Sequence, residues 1–436
     1  MIASSGAPSE STLPPRIWAG LVAAAAALTY WPGFWLPLIS DDYLVIDLAR
    51  RYAEQRGGWE ALLGDALYRT RALFMGLSYL LYQAGGLAKW PYSAVPLALH
   101  VVNCLLAYRL LLRWGPPPIA GLTALIFAVH HGHQEAIWWY SALPDAMVLT
   151  SALMTVGAWL EWLETSSWRW YGAALVAFLT GLASKESAAT IPGLLAGVAL
   201  VRRYPPARAA LALAPYAALS AAYFAASFTA RETHQHYQDG TFSLGWHFFP
   251  VMARSITRML WPWGLVASVL LLGQRRFHRL LGLAWGWMAI TLLAYCFLTY
   301  MPFVPSRHTY PASLAMAAIL AAGLAAARQR WHWSGRRVGA LVTVFIALEW
   351  GYLWTRKYAQ YQQRARPTEE LKAVLCAGGA PARTGVVELR CFAYPPNMVQ
   401  SLLRLETGDR VRLLLAPEFR ETFDCRVAET ARFLAD

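Results

Sequence analysis

The sequence predicts an all-α polytopic membrane protein with about eleven transmembrane helices and a small α/β appendage at its C-terminal end. Two observations carry this. Of the 436 residues, 57% are hydrophobic and only 14% charged, and apolar stretches of membrane-spanning length recur along the chain. Trp and Tyr, at 21 residues each, fit a protein that seats amphipathic rings at the water–lipid interface. The net charge of +13 is read as loop arginine, the usual topological signal, which sets nucleic-acid binding aside.

Residues 1–16 are small, polar and proline-containing, so a disordered cytoplasmic tail is expected. Residues 17–38 are too long for a signal-peptide core and lack a cleavage site, which makes them an uncleaved first span. Further spans are expected near 91–113, 118–134, 142–162, 168–184, 187–202, 207–228, 249–272, 279–301, 310–328 and 338–355. With these boundaries the basic clusters fall on one side. They are Arg109 and Arg113; Arg202, Arg203 and Arg208; Arg275, Arg276 and Arg279; and Arg328, Arg330, Arg336 and Arg337. That side is cytoplasmic by the positive-inside rule.

The apolar segment 72–88 would reverse the later clusters if it crossed the membrane, so it is read as an interfacial helix of the first extracytoplasmic loop. Residues 17–356 then form the multi-pass domain, and 357–436 an extracytoplasmic appendage. Its "TRKYAQYQQRARPTEELKAVL" reads as an amphipathic helix, and "TGVVELRCF" and "RVRLLLAP" as strands. Cys376, Cys391 and Cys425 there allow one disulfide whose pairing the sequence leaves open, whereas Cys104 and Cys296 lie in spans as packing residues.

The polar motifs gather on the side opposite the arginine loops. They are "SDDY" (40–43), "YRTR" (68–71), "HHGHQEAIWWYSALPD" (130–145), "SKES" (184–187) and "PSRHTYP" (305–311). Ionisable groups at membrane depth are a functional-site hypothesis by default. The motifs in their order resemble the C-type glycosyltransferase superfamily, and the reaction this resemblance implies, moving a sugar from a lipid phosphate to a hydroxyl, would need two things. A carboxylate must take the hydroxyl proton, and cations must hold the departing phosphate. Asp41 and Asp42 are the candidate bases, and their bland alternative is a helix cap. Arg69, Arg71, Lys185 and Arg307 are the candidate phosphate ligands, with His308 beside them.

His130, His133, Glu135, Asp145 and Glu186 are assigned to the sugar and acceptor pocket. A divalent cation is compatible with His130, His133 and Glu135, but their spacing is not the His-Glu-x-x-His zinc pattern. A hydrogen-bonded network is preferred and no metal site is assigned. His100 and Asn103 are read as interhelical contacts, and Arg254 and Arg258 as residues snorkelling to lipid headgroups.

The ordered series of these motifs over roughly residues 17–330 resembles the C-type glycosyltransferase superfamily, in particular protein O-mannosyltransferase-like enzymes. The resemblance implies an outward-facing site, a polyprenyl-phosphate-linked sugar as donor, and a protein or glycan acceptor. It also implies a bacterial inner-membrane location and a catalytic acid in the first extracytoplasmic loop, where Asp41 matches the first acid of the family pair. His131 in place of proline, Thr70 after Arg69, and "SALPD" without an arginine are departures that bear on the acceptor and the sugar. The alternatives are a lipid-linked oligosaccharide ligase or polymerase and, in another class, a transporter. A transporter would carry its charges near mid-membrane and show internal repeats.

Overall fold

The computed structural model describes residues 13–377 and 384–435. Most of the expected tail, residues 1–12, lies outside them. Its last two residues are already helical, because Pro15 suits a first helical position where no amide hydrogen is needed. Helix α1 (Pro15–Tyr30) leads into the short α2 (Ser40–Glu54), α3 (Gly58–Gly64) and α4 (Ala72–Gly85). Then come α5 (Lys89–Leu111), α6 (Pro117–Val129), α7 (Gln134–Trp138), α8 (Leu143–Thr165), α9 (Trp168–Leu182), α10 (Ile191–Val201), α11 (Pro206–Thr229) and α12 (Gln235–Gln238). The bundle closes with α13 (Phe248–Leu260), α14 (Trp263–Leu272), α15 (His278–Leu293), α16 (Tyr310–Arg330), α17 (Gly335–Tyr352) and α18 (Tyr358–Ala377).

Among the described residues six segments, built on α1, α5, α8, α11, α16 and the α17–α18 rod, are long and apolar enough to cross a membrane, and the chain is an integral membrane protein. Several expected spans are shorter than predicted. Helices α6 and α10 have 13 and 11 residues, roughly 15–20 Å of helix against a hydrocarbon core of about 30 Å. Each stops at a polar motif: α6 gives way at His130, and α10 begins only after a 3-10 turn over Glu186–Thr190. The expected span 249–272 is corrected to two helices, α13 and α14, that meet at 91°. Pro262 at the junction cannot donate a helical hydrogen bond, and its ring blocks the preceding turn.

The core sits on α8 and α16, whose spans are 72% and 83% buried, while α11 and α17 run along the outside. Alanines and Gly323 let α16 approach its neighbours. A Cβ on Gly323 would lie 2.4 Å from that of Ala267, so α14 and α16 meet there with no room for a side chain. His100 and Asn103 tie four helices together. Nε2 of His100 donates to the Ala128 carbonyl (3.0 Å), its Nδ1 faces the Tyr310 hydroxyl (2.8 Å), and Asn103 donates to the Ala146 carbonyl (3.0 Å).

The appendage comprises β1 (Gly385–Phe392), α19 (Pro396–Thr407), β2 (Val411–Glu421), α20 (Val427–Thr430) and β3 (Arg432–Ala435). The sheet order is β2-β1-β3, with β1 parallel to β2 and antiparallel to β3. The expected boundary at 356/357 falls within a π-helical turn (Leu353–Lys357) that joins α17 to α18, so bundle and appendage share one rod. Helix α19 docks on α2, where buried Asp47 accepts from Ser401 (3.0 Å) and pairs with Arg404 (3.3 Å).

Cys391 and Cys425 form a disulfide, and Cys376 is free. The bond closes a loop of 34 residues. Replacing both cysteines by serine is expected to cost about 2–4 kcal/mol, read as earlier thermal loss of the appendage's protease resistance.

Candidate active site

The polar motifs meet in one cavity of about 610 Å³, bounded by α2, the start of α8, the turn before α10, α11 and the loop before α16. Asp41, Arg71, Asp145, Lys185, Glu186, Arg307 and His308 line it. Three cations therefore face three carboxylates. A volume in this range suits a small polar group with part of an apolar tail, and Phe224, Leu244, Leu293 and Phe297 supply an apolar wall.

Two adjacent acids have different tasks. Asp42 is wholly buried and spends its carboxylate on structure: Oδ2 accepts from the Ile39 amide (2.9 Å), and Oδ1 from the Ser141 amide and hydroxyl (2.8 and 2.9 Å). It is the acid of a helix N-terminal cap and cross-links α2 to the loop before α8. Asp41 faces the cavity and, among the described residues, accepts one side-chain hydrogen bond, from the Trp139 indole (2.7 Å). Burial and the neighbouring Asp42 push its carboxyl up to about 8, against the pull of Trp139 and Arg307. A carboxyl so raised is matched to taking up a proton near neutral pH.

The cations divide in the same way. Arg71 forms a two-hydrogen-bond fork with Glu186, one bond at 3.1 Å. The Lys185 ammonium sits between both oxygens of Asp145, 2.8 Å from each. Asp145 also accepts from the Tyr295 hydroxyl (2.7 Å), and His308 lies 3.3 Å away. These pairs neutralise themselves.

Arg307 differs. Among the described residues its guanidinium has no carboxylate within ion-pair distance, and it rests 4.9 Å from the centre of the Trp139 ring. Its backbone is held from behind: Glu135 accepts from the Arg307 amide (3.2 Å) and the Ser306 hydroxyl, and pairs with Arg364 of α18 (2.6 Å). Burial works against the Glu135 charge, but Arg364, Ser306 and Arg307 hold its carboxyl down to about 2.

Other expected residues lie away from the cavity. Arg69 donates outward to the Ala226 carbonyl (2.8 Å). His133 is buried behind the site, bonded to Ser313 (2.6 Å) and edge-on to Tyr310. His130 turns toward Glu349, and Glu135 serves as the brace just described. Sequence reasoning missed Trp139, Tyr295 and the pair His234 and His236, which also line the cavity. The last two sit in "RETHQHYQDG", where two histidines two apart in a polar loop were the available signal.

No protein-family model and no curated protein sequence matches the chain. Solved structures do. ArnT from Cupriavidus metallidurans bound to undecaprenyl phosphate aligns at TM-score 0.54 and 14% identity, over 91% of this chain and 85% of that one. The same protein in the apo state gives 0.53 and 13%, over 91% and 86%. The chain has the ArnT fold. AglB from Archaeoglobus fulgidus, an archaeal oligosaccharyltransferase, aligns at 0.45 and 13%, over 80% of this chain and 56% of its own. At such low identity the ArnT likeness fixes the path of the backbone, and the roles of side chains rest on this chain's own geometry.

Proposed function

We propose that this chain is an inverting glycosyltransferase that moves a sugar from a polyprenyl-phosphate donor to an acceptor hydroxyl. The observation that carries the reading is the pairing of Asp41 and Arg307 across one Trp139 ring, an acid raised toward neutral pH beside a guanidinium that, among the described residues, has no carboxylate within ion-pair distance and donates from Nε to His308 (3.2 Å). The acceptor oxygen attacks the anomeric carbon while its proton passes to the Asp41 carboxylate. The bond from that carbon to the phosphate oxygen breaks on the opposite face, which inverts the centre. Arg307 holds the charge that develops on the departing lipid phosphate, and the planar fork of arginine meets two phosphate oxygens at once. The apolar wall receives the first isoprene units.

The similar ArnT structure is one bound to undecaprenyl phosphate, which supports this class of donor. Two features support an extracytoplasmic site in a bacterial inner membrane. Arg113 and Arg202 pair with Glu161 and Glu164 at the end of α8 away from the cavity, and Arg328 and Arg330 stand in the last turn of α16. The appendage docked on α2 carries a disulfide, a bond that persists in oxidising compartments. A protein or glycan hydroxyl is the acceptor class, and the sugar is a hexose.

Undecaprenyl phosphate is expected to raise the melting temperature of the purified protein, and undecaprenol is expected not to. Arg307→Ala should raise the lipid concentration needed for the same melting shift by about tenfold or more, as loss of a charged hydrogen bond predicts. Equal stabilisation by phosphate and alcohol would count against the reading. A reporter fused near residue 380 should register outside the cytoplasm.

A further inference from the structure

Helix α17 runs along the outside of the bundle, and Glu349 alone among its residues is buried. An acid turned inward from an otherwise lipid-facing helix needs a partner. Its partners come from the loop after α6. Oε2 of Glu349 accepts from the His131 amide (2.6 Å), lies 2.7 Å from Nδ1 of His131, and lies 3.7 Å from Nδ1 of His130. One ligand atom from each of the three residues falls within 4.8 Å of the others. A simple ion pair would need one imidazole, and here two converge on the same carboxylate oxygen.

Both rings are held in place. Tyr30 donates to the His130 carbonyl, and the His131 ring packs edge-on against Tyr352 at 4.8 Å. A Cβ on Gly132 would lie 2.6 Å from Nε2 of His130, so any larger residue there would displace that ring. Donor atoms at about 2.0–2.1 Å from one tetrahedral ion stand on the order of 3.3 Å apart, and the two carboxylate–imidazole distances bracket that spacing. Two neutral imidazoles and a carboxylate, with a fourth position left for water, suit zinc and its neighbours better than magnesium or calcium.

We infer that His130, His131 and Glu349 form a binding site for a zinc-class divalent ion, which fastens α17 to the loop after α6. The site is separate from the cavity that holds Asp41. Its rod continues through the π-helical turn into α18, whose Arg364 holds Glu135 and so the Arg307 loop. An ion there would anchor the base of the arm that positions Arg307.

The test uses the full chain in detergent, with any histidine tag removed, stripped with chelator and dialysed against zinc. The wild type and Asp41→Asn should each retain one equivalent by elemental analysis, and His131→Ala and Glu349→Gln should lose it. Cobalt in place of zinc should give the visible absorption of a tetrahedral site in the wild type and Asp41→Asn, and not in His131→Ala or Glu349→Gln. His130→Gln, which keeps size and polarity, gives the same reading if a harsher variant does not fold. A wild type that retains no equivalent overturns the inference. So does an equivalent kept in full by folded His131→Ala and Glu349→Gln, because the ion would then sit elsewhere.

Discussion

Asp41→Asn is expected to lower sugar transfer by roughly 10²- to 10⁴-fold, the usual worth of a positioned general base, with little change in folding. Among the described residues its carboxylate accepts a single side-chain hydrogen bond, from Trp139, and an amide oxygen can still accept it. Asp42→Asn should behave differently. Asp42 bonds the Ile39 amide and the Ser141 amide and hydroxyl, so its change should mainly cost stability, about 1–3 kcal/mol. The pH profile gives an independent check. Burial and Asp42 push the Asp41 carboxyl up to about 8, and a base acts only when deprotonated. The rate should therefore climb as pH rises toward about 8 and level off above it. Steady-state kinetics across that range should show the rise in the wild type and lose it in Asp41→Asn. A flat wild-type profile would remove Asp41 as the base.

Lys185→Met should destabilise the protein by about 3–5 kcal/mol, because it leaves the fully buried Asp145 charge without its cation. Adding Asp145→Asn should restore more than half of the loss, since the amide still accepts from Tyr295 and no charge is stranded. Thermal unfolding in detergent, wild type against the single and double variants, reads both effects. If Lys185→Met unfolds like the wild type but binds undecaprenyl phosphate poorly, Lys185 is a free phosphate ligand and the paired reading fails.

The sequence made the membrane class, the appendage and the gathering of polar motifs legible, since hydropathy and motif order are local properties. It also singled out Asp41 and Arg307. Pairing was not legible. Lys185 reads as a phosphate cation until Asp145, 40 residues away, is seen against it. Arg364 reads as one charge on an amphipathic helix, yet it crosses 229 residues to hold Glu135. Glu349 looks like a stray acid in a span, and the nearer of its histidines in sequence, His131, lies 218 residues away. No periodicity carries such distances.

Trp139 was hidden differently, because an aromatic at a membrane rim has an ordinary interfacial explanation. The bend at Pro262 had a visible cause in "LWPWG", but mean hydropathy across the segment outweighed one proline.

The most direct test of the central claim is transfer itself. Purified protein in liposomes is given a radiolabelled polyprenyl-phosphate-linked hexose and a panel of hydroxyl acceptors, and the label left on lipid is followed over time. The wild type should move label from lipid to an acceptor, and Asp41→Asn should leave it on lipid. The proposal is contradicted if the wild type moves no label to any acceptor, or if Asp41→Asn and Asp42→Asn both turn over as the wild type does.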